Sequence, residues 1–201
     1  MHFKSPALIT AISFTLGSNA QVLGFWNRPA FSACPSISPG PATLQQLSEL
    51  PLAFRPDPDT ESAIRQTLSL YPFAVDGRNF DALDRIFTPN VRTNYSEPIN
   101  EVVGLTNIKA AIAAGLDNFA ATHHSFGTQY IVRCAKDSAI SVTYYTASHY
   151  FHPSKPAEIQ NGSEVLYATG RYEDTWERQG DGGWKIANRN LVYQGPLIYD
   201  R

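Results

Sequence analysis

The chain is poor in the residues that would place it in several classes at once. It has 2 cysteines among 201 residues, so it is not a small scaffold stapled by several disulfides. Only 17% of its residues are charged, and 16 basic residues stand against 18 acidic ones. A formal charge of −2 supplies no electrostatic reason to bind nucleic acid. No apolar run reaches the roughly 18 residues of a membrane span. Gly-x-Ser-x-Gly, a phosphate-cradling glycine loop and a dinucleotide fingerprint are all missing. What is present is a core-forming composition, 43% hydrophobic and 12% aromatic, on a length that suits one domain.

The first twenty residues, MHFKSPALITAISFTLGSNA, follow the plan of a secretory signal peptide. Lys4 gives a short basic start, residues 6–17 are mostly apolar, and Ser18 and Ala20 are small. Secretion is therefore expected, with no membrane anchor in the mature form. Residues 21–58 hold seven prolines and sustain no regular period apart from a stretch near Leu44–Leu50, so they read as an arm. The domain is expected over 59–201. Asn94-Tyr-Ser and Asn161-Gly-Ser are N-glycosylation triplets, with Asn161 in the more turn-like context. Cys34 and Cys134 allow one bridge in an oxidising compartment; two free buried thiols are the other reading.

From Thr60 the period is helical. Ile64, Leu68, Tyr71 and Val75 fall on one face, Pro72 lies inside the pattern, and Asp76-Gly77 stops it. A short helix is expected around Phe80–Phe87, a strand over 91–95 and a helix from Gly104 to Phe119. Four long strands are expected over 122–134, 139–151, 164–178 and 183–194, the last two joined at Gly180-Asp-Gly-Gly183. Helices first and strands afterwards predict an α+β fold. A curved, mainly antiparallel sheet would wrap the helices into a cone that encloses a pocket.

Four of the five histidines form two tight pairs, His123–His124 and His149 with His152. A shared metal is disfavoured, because adjacent strand residues point to opposite faces. Period two instead puts His124 on an apolar face with Phe126, Thr128, Tyr130 and Val132, and His149 with Ala147, Tyr145 and Thr143. Antiparallel pairing of these strands would bring the two histidines to one end of the sheet, and Asp76, at the end of the first helix, is the third candidate. A carboxylate that fixes an imidazole tautomer makes a proton-transfer pair. On strands 139–151 and 164–178, Tyr144, Tyr150, Tyr167 or Tyr172 could form an outer aromatic patch and a homo-oligomer contact.

Four segments together resemble the SnoaL-like superfamily, which shares the cone fold of nuclear transport factor 2 and scytalone dehydratase. They are YPFAVDGRNFDALDRIF (71–87), VRTNY (91–95), THHSFG (122–127) and GRYEDTWERQGDGGWKI (170–186). The resemblance implies that Asp76 orients His124 as base and that His149 binds or protonates substrate. It implies that Tyr71 and Tyr95 contact substrate, and it puts Arg171 and Glu173 where scytalone dehydratase has polar substrate-holding groups. It further implies a cofactor-free dehydratase acting beside a carbonyl on a small apolar ring compound. Isomerases and cyclases use the same machinery. A non-catalytic ligand-binding or dimerising module, its cone plugged by an Arg171–Glu173 pair, is the rival reading.

Overall fold

The computed structural model describes residues 43–49, 57–97, 99–152 and 164–200. The expected signal peptide, Cys34 and the Asn161 triplet lie outside them. The described residues form three α-helices, α1 (Leu44–Ser48), α2 (Pro58–Asp76) and α3 (Leu105–Leu116). The strands are β1 (Phe87–Asn94), β2 (Glu101–Val103), β3 (Phe119–Ala135), β4 (Ser138–Phe151), β5 (Val165–Arg178), β6 (Trp184–Tyr193) and β7 (Ile198–Asp200). The sheet runs β2-β1-β6-β5-β4-β3, with β7 continuing along β5 beyond the end of β6. Every pairing is antiparallel except β1 with β6.

Helix α2 starts where its sequence dictates. Asp57 accepts from the Thr60 backbone N–H at 3.1 Å and from its hydroxyl at 3.0 Å, and Pro58 occupies the first turn. Arg133 at the far end of β3 donates to the same carboxylate at 2.7 Å, so the cap also fastens helix to sheet. These partners hold the Asp57 carboxyl below the ordinary carboxylate range, the Arg133 hydrogen bond most of all. Pro72 lies inside α2 without ending it. The buried stripe Ile64, Leu68, Tyr71 and Val75 packs into one core with α3 residues Ile108 and Ile112 and with Trp176 and Ile186 of the sheet.

Several boundaries differ from expectation. The short second helix is a 3₁₀ segment, Phe80–Arg85. Strand β1 already begins at Phe87, and Pro89 is tolerated because the β1–β6 ladder is interrupted between Phe87 and Arg92. Helix α3 stops at Leu116, and Phe119 opens β3 instead of completing a helical stripe. Strands β2 and β7, three residues each, are too short to show a period.

The larger correction concerns which side chains face inward. Phe126 pairs with Tyr145, yet Gln129 pairs with Thr143: a bulge inserts one residue in β3. Up to Phe126 the expected face holds. Beyond it Gln129 and Ile131 turn inward, and Thr128, Tyr130 and Val132 turn out. Tyr130 and Val132 join Cys134 and Ile140 in a second apolar cluster on the outer face. Leu44 and Leu47 of α1 line a groove of about 240 Å³ there with Thr128, Tyr130, Val142 and Tyr144. Cys134 is disulfide-bonded.

Deep in the core, on the inner face, Asp174 takes two hydrogen bonds from Arg189, at 2.7 and 2.9 Å. Both side chains are fully buried. The guanidinium lies 4.2 Å from the Tyr172 ring centre, 4.5 Å from Tyr71 and 5.2 Å from Phe87. Removing one partner strands a charge inside the cone. Asp174→Ala is therefore expected to cost about 3–5 kcal/mol in urea denaturation. Asp174→Leu combined with Arg189→Met should recover most of that loss.

Candidate active site

The inner end of α2 meets the start of β3 through a single carboxylate. Asp76 is the last residue of α2. Its Oδ1 lies 2.7 Å from His124 Nδ1 and accepts the Thr122 hydroxyl at 2.8 Å; its Oδ2 accepts the His124 backbone N–H at 2.9 Å. Thr122 and His124 share the inner face of β3, opposite His149 and Ala147 of β4. Burial alone would push the Asp76 carboxyl up. The His124 ring and backbone N–H, the imidazole charge and the Thr122 hydroxyl outweigh it and hold Asp76 below its ordinary value. An ionised Asp76 accepts from Nδ1–H, which fixes the His124 tautomer with the lone pair on Nε2. The side chain of His124 keeps 8% of its surface exposed.

His149 stands edge-on to His124, ring centres 5.4 Å apart, with Phe119 packed on it at 4.9 Å. Burial, reinforced by the nearby His124 charge, pulls its pKa down to about 4. Its Nδ1 lies 3.4 Å from the Leu166 carbonyl oxygen, which can only accept, so the ring proton belongs on Nδ1. His149 is then neutral at pH 7, with roughly one molecule in a thousand protonated, and offers a lone pair on Nε2. Of the two expected roles, binding and protonating substrate, a neutral ring with its lone pair on Nε2 suits binding.

Tyrosines carry the wall onward from the dyad. The Tyr145 ring lies 6.5 Å from His124 and stacks on Tyr172 at 4.7 Å. Tyr172 meets Tyr71 edge-on at 5.7 Å, and the Tyr71 hydroxyl lies 3.5 Å from that of Tyr95. Tyr71 and Tyr95 are thus brought together. Burial drives the phenols of Tyr95, Tyr145 and Tyr172 well above the usual value, so all three stay protonated donors. Gly170 makes this packing fit. A Cβ there would stand 2.5 Å from the Val192 carbonyl oxygen and 2.8 Å from the Tyr145 ring.

Other expected site residues fall elsewhere. Arg171 and Glu173 pair with Tyr144 and Val142, which puts them on the outer face, away from His124. They do form an ion pair, at 2.9 Å, and both are buried. They neither contact a substrate beside His124 nor plug the cone. Tyr172, a candidate for the outer patch, is 1% exposed and faces inward, whereas Tyr144, Tyr150 and Tyr167 are exposed. The alternation of charge at 171, 173 and 177 carried that signal, since Tyr172, Asp174 and Trp176 are the complementary set. Asn94 lies half-buried in β1, its side-chain oxygen accepting the Ser96 N–H. Among the described residues no group of three or more His, Cys, Asp or Glu is placed to hold a metal ion. Sequence reasoning missed Thr122, Arg78 and the inward-facing Tyr193.

The SnoaL-like domain model matches residues 58–190, two thirds of the chain and nearly all of the architecture above. The chain belongs to the SnoaL-like domain family. It is 33% identical over 127 residues to Uncharacterized protein Rv2910c of Mycobacterium tuberculosis, covering 63% of this chain and 80% of that protein. Several solved structures share its fold. The Kfla4162 protein of Kribbella flavida, 22% identical, gives a TM-score of 0.60 over 72% of this chain and 96% of its own. A candidate scytalone dehydratase of Novosphingobium aromaticivorans, 20% identical, gives 0.58 over 68% and 85%. Hexachlorocyclohexane dehydrochlorinase type 3 of Novosphingobium barchaimii, 15% identical, gives 0.58 over 70% and 90%. At these identities the likeness is one of fold.

Two measurements test the site. An unfolded histidine titrates near 6.5 and His149 near 4, so between those values the unfolded state holds more protons and stability falls as pH falls. Denaturation of wild type should lose on the order of 2–3 kcal/mol more than His149→Phe on going from pH 7 to pH 4. Gly170→Ala should cost about 1–3 kcal/mol, because a backbone oxygen blocks the methyl group, and should displace Tyr145 in the near-ultraviolet circular dichroism.

Proposed function

We propose that the protein is a cofactor-independent elimination enzyme, of the dehydratase type, acting on a small and largely apolar ring compound. The observation that carries the reading is the Asp76–His124 pair at 2.7 Å, with no hydrogen bond to His124 Nε2 from the described residues and an aromatic wall beside it. His124 Nε2 takes a proton from the carbon next to a carbonyl. The electron pair left behind forms the carbon–carbon double bond, and the bond to the leaving oxygen on the next carbon breaks. The departing hydroxyl takes up the proton that His124 has just acquired and leaves as water. Tyr95 or Tyr71 donates to the enolate oxygen while it exists. His149 accepts a hydrogen bond from a substrate hydroxyl and so orients the ring.

The names of two fold neighbours, a scytalone dehydratase and a hexachlorocyclohexane dehydrochlorinase, both denote eliminations and support that reaction class over isomerisation or cyclisation. The partial solvent exposure of the Asp76 and His124 side chains, in contrast to the fully buried Asp174–Arg189 pair, supports catalysis over a plugged binding module. A disulfide at Cys134 supports the expected secretory location, because such bonds persist in oxidising compartments.

The test is a panel of hydroxy ketones, polyketide-like ring compounds and chlorinated rings assayed with wild type, His124→Ala and Asp76→Asn. Loss of His124 should lower kcat about 10²–10⁴-fold on whichever compound turns over. Asp76→Asn should cost a comparable factor, since an amide favours the wrong tautomer. Turnover indifferent to His124→Ala overturns the mechanism.

A further inference from the structure

Asp76 is followed by Gly77 and Arg78, and the way the chain leaves α2 here is unusual. Arg78 has φ 55°, in the left-handed region where glycine is the ordinary occupant. The Arg78 N–H donates to the Val75 carbonyl at 3.2 Å and the Asn79 N–H to the Ala74 carbonyl at 2.9 Å. Those are the two bonds of a Schellman stop, with arginine at its left-handed position. The neighbouring glycine cannot be exchanged for bulk either, since a Cβ on Gly77 would lie 2.7 Å from the Phe73 carbonyl oxygen. Backbone strain of this kind persists where the surrounding structure holds it in place.

The Arg78 side chain supplies that hold. Nη1 donates to the Val75 carbonyl and to the Thr122 hydroxyl oxygen, both at 2.9 Å. Nη2 donates to the Phe119 carbonyl at 3.1 Å and the Leu116 carbonyl at 3.4 Å. One guanidinium thus ties together the last turn of α2, the end of α3 and the start of β3. Its neighbours are three carbonyl oxygens and a hydroxyl, and no carboxylate touches it among the described residues. The consequence for the dyad follows from hydrogen counting. Arginine only donates, so the Thr122 oxygen must accept from it. The single Thr122 hydrogen is thereby left to point at Asp76 Oδ1, 2.8 Å away. A threonine free to rotate could turn that hydrogen elsewhere.

We propose that Arg78 is a positioning residue that polarises Thr122 toward Asp76 and so holds the carboxylate in the plane where it receives His124 Nδ1–H. The direction of donation runs from Arg78 to Thr122 to Asp76, and His124 meets the same oxygen from the other side. The proposal rests on the Asp76–His124 reading of the site, but its readout needs no substrate. The probe is the downfield imidazole proton of His124 Nδ1 in nitrogen-15-labelled full-length protein, with its rate of exchange with water.

Thr122→Val keeps the shape and removes the relay hydroxyl; Thr122→Ser keeps the hydroxyl. Thr122→Val and Arg78→Met are each expected to move the proton upfield and to speed its exchange about tenfold or more, the loss of one charge-assisted hydrogen bond. Thr122→Ser should retain the wild-type signal. The double variant Arg78→Met with Thr122→Val should be no worse than the poorer single variant, because both act through one oxygen. A purely structural Arg78 would give additive losses. Arg78→Lys, which cannot span all four acceptors, carries the same comparison should Arg78→Met fail to fold. An unchanged proton in Thr122→Val, or additivity in the double variant, overturns the proposal. The effect observed in a protein inactive on every compound tested would leave it standing and count against the elimination reading alone.

Discussion

The carboxylate of Asp76 is where the helical layer is fastened to the sheet. Three hydrogen bonds reach it from β3, one from a backbone N–H, one from a hydroxyl and one from a ring nitrogen. The backbone contact matters as much as the ring contact. It holds Oδ2 of the carboxylate against the β3 backbone, which leaves Oδ1 to the His124 ring and the Thr122 hydroxyl. At the other end of the same helix, Asp57 accepts from its own cap and from Arg133, near the other end of β3. The helix is therefore pinned at both ends to one strand, and the aromatic wall lies between the pins. An orientation fixed at two points sustains a hydrogen bond of 2.7 Å where a helix docked by apolar packing alone could slide.

The bulge after Phe126 gives that strand two uses. Before it, β3 turns Thr122, His124 and Phe126 inward; after it, the inward set is Gln129 and Ile131. Without the extra residue Tyr130 and Val132 would enter the cone, and the outer apolar cluster around Cys134 and Ile140 would lose its partners. One inserted residue thus reassigns half of a seventeen-residue strand from the inside to the outside. The two faces that result differ in kind. The inner one is aromatic with a few committed polar groups, and the outer one carries exposed tyrosines and the paired Arg171 and Glu173.

Much of this was legible in the sequence because period and order are local properties. The stripe from Ile64 to Val75, the stop at Asp76-Gly77 and the long strands all follow from them, and with them the approach of Asp76, His124 and His149. What was not legible depends on register. A bulge has no reliable signature within the strand that bears it, so the faces of Thr128, Tyr130 and Val132 could not be read from β3 alone. Arg171 and Glu173 misled for a related reason. A likeness of position along the strand is not a likeness of face, and their odd spacing from Trp176 puts them on the other side. Arg78 was overlooked because a residue in a turn shows its role only when the acceptors around it, on α3 and β3, are known.

The inner face carries two ionic constellations, and the difference between them separates folding from chemistry. Asp174 and Arg189 are joined by two hydrogen bonds, sit at zero side-chain exposure and are flanked by three aromatic rings. The pair is closed on two sides only: Arg189 Nη1 is buried without a hydrogen-bond partner among the described residues, and burial pushes the Asp174 carboxyl up. Asp76 and His124 share the same inner face, but among the described residues one ring nitrogen is engaged, and some of each side chain reaches solvent. There the carboxylate is held below its ordinary range by its hydrogen bonds to His124 and Thr122, so it stays an acceptor for the ring N–H. His149, a few ångströms away and without a carboxylate, is kept neutral by the same burial. Two histidines on neighbouring strands thus stand in different surroundings: His124 has its Nδ1 fixed by a carboxylate, and His149 has its Nδ1 beside a backbone carbonyl and is packed against Phe119.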